Sequence, residues 1–145
     1  MQINVKKLKP NALLPQYQTE QAAAMDVRAC LDAPITLQPL ERAMIPTGLA
    51  FELPVGTEMQ IRARSGLSIK HGITMVNGVG TIDADYRGEL NILLINLGQE
   101  PFTVEPDMRI AQLIIARYEA VTLQQVDQLS ETARNSGGFG STGTR

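Results

Sequence analysis

The chain has 145 residues, 43% of them hydrophobic but only 4% aromatic, with no Trp. This length suits one domain that buries about 70% of the surface its unfolded chain exposes, around an aliphatic core. A formal charge of −2 and a pI near 5.4 exclude the basic face of a nucleic-acid binder, although a few arginines can still focus a field on a small anion.

In chain order, Met1 to Pro10 carries lysines but no apolar core of a leader, so no signal peptide is expected. Lys6 and Lys7 read as a solvated face. The run Ile3 to Leu8 suits a strand. A-A-M-D-V-R-A, Ala23 to Ala29, then puts Asp26 inside a strand-like run, where an unpaired charge is costly. Cys30 is the only cysteine. It rules out an internal disulfide, fits a reducing, cytoplasmic setting, and reads as a small buried hydrophobe.

Short apolar runs follow at Met44 to Ile45, Leu49 to Leu53 and Met59 to Ala63, punctuated by Pro46, Gly48, Pro54 and Gly56. R-S-G-L-S, Arg64 to Ser68, sets a guanidinium, a hydroxyl and a bare backbone N–H side by side. Such a trio cradles a phosphate, although an ordinary turn has the same composition. Ser65 to Lys70 allows one short turn of helix. His71, the only histidine, reads as a turn or interface residue. The six methionines read as core filler.

Ile73 to Val76 precedes N-G-V-G-T-I-D-A-D-Y-R-G-E-L, Asn77 to Leu90. Read as a hairpin, this stretch is either a surface turn or a pocket in which glycines let backbone approach a ligand. Asp85 reads as a turn cap or a partner of Arg87. Leu90 to Asn96 contains the unbroken I-L-L-I of Ile92 to Ile95. A strand apolar on both sides needs cover on both faces, which points to an oligomer. Phe102 to Val104 and Ile110 to Ala116 complete the strands, the last overlapping R-I-A-Q-L, Arg109 to Leu113. No segment has the length of about 18 apolar residues that a membrane helix requires. Many short strands with turn signals between them indicate an all-β sandwich or barrel. After Ser130 the composition turns to Gly, Ser and Thr, so residues 1–130 form the domain and 131–145 a flexible arm.

Five of these segments, in order, resemble the motifs of the trimeric dUTPase family (deoxyuridine triphosphate nucleotidohydrolases), over about Ala22 to Gly143. They are A-A-M-D-V-R-A, A-R-S-G-L, G-T-I-D-A-D-Y-R-G, R-I-A-Q-L and R-N-S-G-G-F-G-S-T-G. Ala24, Ala63 and Asn135 stand where the family commonly has Gly, Pro and Gly. The resemblance implies a jelly-roll-like β-barrel and a homotrimer with shared sites. It also implies Mg²⁺-dependent hydrolysis of dUTP to dUMP and pyrophosphate, which lowers dUTP and supplies dUMP for thymidylate synthesis. It implies Asp83 as the carboxylate that activates water. Asn77, Thr81, Ile82 and Asn91 would read uracil, and Tyr86 would stack on the deoxyribose. Arg64, Ser65, Gly66 and Gln112 would hold the phosphates from another subunit. Asp26 would reach the metal through water, and Arg134, Phe139, Gly140, Ser141 and Thr142 would close over the nucleotide. A related deoxycytidine triphosphate deaminase and a non-catalytic nucleotide binder remain as alternatives, separated by ammonia release and pyrophosphate release respectively.

Overall fold

The computed structural model describes residues 1–138 and Ser141. In chain order it runs β1 (Asn4–Lys7), β2 (Gln16–Tyr17), β3 (Met25–Arg28), β4 (Ile35–Leu37), β5 (Arg42–Glu52), β6 (Thr57–Ala63), α1 (Ser65–His71), β7 (Ile73–Met75), β8 (Gly80–Ile82), β9 (Glu89–Asn96), β10 (Phe102–Val104) and β11 (Arg109–Arg117). Every strand pair among the described residues is antiparallel. One sheet has the order β1-β5-β9-β7, a second has β2-β3-β11-β6-β8, and β10 pairs with β4. The result is an all-β, jelly-roll-like fold.

Each expected apolar run lies on a strand, but two of them are one strand. Met44 to Ile45 and Leu49 to Leu53 join in β5, whose pairing with β9 shifts between Pro46 and Ala50. Proline cannot donate to a ladder and so sits at the irregularity. Gly48 completes it at φ +67, with no room for a side chain: an added Cβ would lie 2.8 Å from the Ala12 Cβ and 2.9 Å from the Cys30 sulfur. The two-residue β2 and the three-residue β4 are too short to show a period.

The core lies between the two larger sheets. β9 supplies Leu90, Ile92 and Leu94 from one face, and Val27, Met59, Ile61 and Leu113 come from the opposite sheet, all at most 2% exposed. Each such side chain contributes about 1.5–3 kcal/mol by leaving water. The alternation of β9 leaves Leu93 and Ile95 on the other face, half-buried. Beside them Met44 is 63% exposed and Val76 44%. One apolar sheet face is therefore uncovered by this chain itself. Cys30 is buried, and burial pushes its thiol up from its ordinary value. Among the described residues no helix is long and apolar enough to cross a membrane.

Candidate active site

The segment from Asn77 to Asn91 is not the paired hairpin that its sequence suggests. β8 pairs with β6, Gly80 opposite Ile61 and Ile82 opposite Met59. β9 pairs with β5 and β7 in the other sheet. The arms diverge because the ladder partners of β8 lie on one sheet and those of β9 on the other. A cavity of about 290 Å³ opens here, lined by Asn77, Thr81, Ile82, Asp83, Tyr86, Glu89 and Asn91, with Met44, Ile61 and Leu93. Gly80 lets the wall come close, since a Cβ there would lie 3.2 Å from the Asn77 amide nitrogen and 3.3 Å from the Ile61 Cβ.

The loop joining the arms is braced by its own backbone. The Tyr86 N–H donates to the Asp83 carbonyl at 3.2 Å. The Arg87 guanidinium donates to the carbonyls of Ala84, at 2.6 Å, and Tyr86, at 3.1 Å. Its ion-pair partner is Glu52, at 3.7 Å, and not the Asp85 that sequence proximity suggests. Asp83 is exposed and enters none of the ion pairs of the described residues.

A second group forms around Asp26, whose side chain is 4% exposed. Arg109 donates to its Oδ2 at 3.0 Å, the Gln112 amide to its Oδ1 at 3.2 Å, and Arg64 Nε lies 3.5 Å from Oδ1. In a regular strand, residues 109 and 112 would face opposite sides. The register of β11 against β3 shifts between Arg109 and Ala111, which brings both onto one carboxylate. Arg64 also donates to the Arg109 carbonyl at 2.9 Å. It is thereby held at the start of α1, next to the exposed Ser65 and Gly66. A Cβ at Gly66 would meet nothing within 4 Å, so nothing in this chain demands a glycine there.

The structure thus gathers Asn77, Thr81, Ile82, Asp83, Tyr86 and Asn91 in one place, and Asp26, Arg64 and Gln112 in another. The cavity lining includes none of the second group. Arg109 and Glu89 were not singled out as site residues from the sequence. Arg109 is legible as a cation leading into the apolar run of R-I-A-Q-L, whereas Glu89 reads as an ordinary surface acid. Arg134 donates to the Gly137 carbonyl at 2.7 Å, and the Ser141 N–H to that of Gly138 at 2.9 Å. Neither lines the cavity. Phe139, Gly140 and Thr142 lie outside the described residues.

Comparison with known proteins defines the class. The dUTPase family profile matches residues 10–143. The chain belongs to the dUTPase family. It is 54% identical to the deoxyuridine 5'-triphosphate nucleotidohydrolase of Rickettsia felis, over 98% of this chain and 97% of that one. It is 56% identical to the enzyme of the same name from Treponema denticola, over 94% and 95%. A dUTPase of Staphylococcus bacteriophage 80alpha, solved as a G164S mutant with dUpNHpp, superposes with a TM-score of 0.89 at 28% identity, covering 98% of both chains.

Proposed function

We propose that this chain hydrolyses dUTP to dUMP and pyrophosphate in the cytoplasm, as a Mg²⁺-assisted homotrimer with shared sites. The observation that carries the reading is Asp83: an unpaired carboxylate on a braced loop, lining a cavity that it shares with Asn77, Thr81, Ile82, Tyr86 and Asn91. Uracil enters between the arms, where the Asn77 side chain and the backbone of Thr81, Ile82 and Asn91 meet its pairing edge. Cytosine presents donors and acceptors in the reverse order and leaves buried polar groups unmatched, which a site rejects strongly. Tyr86 packs against the deoxyribose.

Asp83 orients a water and accepts its proton as the water oxygen bonds to the α-phosphorus. The bond from that phosphorus to the bridging oxygen breaks, and pyrophosphate leaves. The cavity lining holds two acids and no Lys or Arg. A triphosphate bound there needs cations from elsewhere. The Asp26 group carries two arginines against one carboxylate, so a second copy offers a net positive surface with Arg64, Ser65, Gly66 and Gln112 toward the phosphates. The apolar face of Met44, Val76 and Leu93 is suited to cover by that copy. Arg134, Phe139, Gly140 and Ser141 from the arm complete the enclosure.

The Mg²⁺ fit is an outer one. Three donors already occupy the Asp26 carboxylate, which has about four lone-pair sites. Among the described residues no group of three His, Cys, Asp or Glu is arranged to hold a metal. Substrate phosphates would hold the ion, with Asp26 reaching it through water, and it would supply charge neutralisation.

Pyrophosphate release measured with dUTP, dTTP, dCTP and UTP tests the function. Turnover of dUTP far above the other three is expected, and comparable turnover of dCTP or UTP would overturn the reading. Light scattering should give about three times the 15.8 kDa chain mass, and a monomer fully active at high dilution would remove the shared sites.

A further inference from the structure

Gly88 stands two residues after Tyr86 in the loop between β8 and β9, and neither the backbone nor the core accounts for it. Its φ lies outside the left-handed region, which among the described glycines is occupied by Gly48, Gly56 and Gly72. Its backbone would therefore accept an alanine. What excludes a side chain is the tyrosine. A Cβ on Gly88 would run into the Tyr86 hydroxyl oxygen and Cζ and come within 2.9 Å of Cε2. All three of the nearest atoms belong to the one tyrosine side chain.

That ring is held at its far end as well. The Tyr86 hydroxyl donates to the Glu89 carbonyl at 3.1 Å. Glu89 is itself anchored, its carboxylate accepting the Gly48 N–H at 2.8 Å across to β5. Arg87 closes the backbone on the near side. The hydroxyl end of the phenol therefore sits against a bare Cα, between a braced turn and a tethered carbonyl, and in that pose the ring forms part of the cavity wall.

We infer that Gly88 is a specificity-determining residue that acts through Tyr86: its missing side chain lets the ring lie low enough to close the cavity against a ribose 2′-hydroxyl. The inference rests on the reading of this cavity as the dUTP pocket and of Tyr86 as its sugar wall. Tyr86 is 46% exposed. An alanine at 88 is accommodated by swinging the ring outward into solvent, so the fold is kept while the wall is lost. Selectivity and stability are thereby separated, which is the signature of a positioning residue.

The experiment compares the ratio of kcat/KM for dUTP over UTP in the unaltered enzyme, Gly88→Ala, Tyr86→Ala and the double variant. Gly88→Ala should lower the ratio by about ten-fold, the scale on which a pocket discriminates one added hydroxyl by space alone, chiefly through a lower KM for UTP. It should leave the thermal midpoint close to that of the parent. In the Tyr86→Ala background the same substitution should change nothing further, because no ring is left to displace. An independent reading comes from NMR of the unaltered trimer. A ring against the Gly88 Cα displaces its Hα resonances from their ordinary position by its ring current, and Tyr86→Leu should remove that displacement.

An unchanged dUTP/UTP ratio in Gly88→Ala overturns the inference. So does an equal drop with and without the Tyr86 ring, or Hα resonances indifferent to Tyr86→Leu. If the unaltered chain does not hydrolyse dUTP, the function reading itself falls and takes the inference with it. The two failures are therefore distinct.

Discussion

The two halves of the candidate site are built on opposite plans. At Asp26 the carboxylate is buried and both oxygens are engaged, by Arg109, Gln112 and Arg64. At Asp83 the carboxylate is exposed and outside every ion pair of the described residues. A paired buried charge orients its partners and is costly to disturb. An unpaired one at a cavity edge is free to take a proton from a bound water. The same residue type thus serves as scaffold in one place and as candidate base in the other, and the neighbours make the difference.

The sharpest way to break this comparison is to substitute both acids. Asp83→Asn keeps the shape of the loop and removes the base. Turnover of dUTP should fall by about 100-fold or more, the usual loss for a general base, with KM little changed and the melting temperature preserved. Near-normal turnover in steady-state assays would remove Asp83 from the mechanism.

Asp26→Ala should do the reverse and act on stability first. Two arginines and the Gln112 amide would lose their shared partner, and because Arg64 and Arg109 keep some contact with solvent the loss should be about 1–3 kcal/mol, the scale of hydrogen bonds to a charged group. Urea titration should show the midpoint falling at unchanged slope, and a variant as stable as the parent would mean that the cluster is not a scaffold.

Arg64→Lys sharpens the comparison at a smaller scale. The charge survives, but the fork that spans Asp26 and the Arg109 carbonyl does not. KM for dUTP should rise about ten-fold, as expected for a lost bidentate contact, with kcat less affected. An unchanged KM would detach Arg64 from the phosphates.

The smallest effect is expected at Cys30, which belongs to neither group. Its thiol is buried and pushed up by that burial, so thiolate is scarce near neutral pH. Alkylation followed by mass spectrometry should be slow in the folded protein and rapid after unfolding in urea. Equal rates would show that the packing of Cys30 against Gly48 opens freely.

Much of the fold is legible in the chain because strand formation is local. Leu90 to Asn96 reads as a strand apolar on both sides, and the strand found there buries Leu90, Ile92 and Leu94 while leaving Leu93 and Ile95 half-buried on the other face. The helical turn at Ser65 is likewise short and local, ended by Gly72 in the left-handed conformation. The chemistry-bearing segments were legible too, because glycines, an unaccompanied arginine and acids in apolar company are each hard to explain as plain structure.

Three things were settled only by tertiary structure. Pro46 and Gly48 look like a break between two strands but form an irregularity within one, since neighbouring ladders carry β5 past the proline. Asn77 to Asn91 looks like a hairpin, yet its arms belong to different sheets, because pairing partners many residues away compete with the local turn and win. Arg109 and Gln112 are three apart, a spacing that places them on opposite faces of a regular strand, and one register shift against β3 brings both to Asp26. Alternation and turn chemistry are properties of a few consecutive residues, and the sequence determines them. Register and sheet membership depend on which distant strands satisfy a backbone's hydrogen bonds, and only the assembled fold decides that.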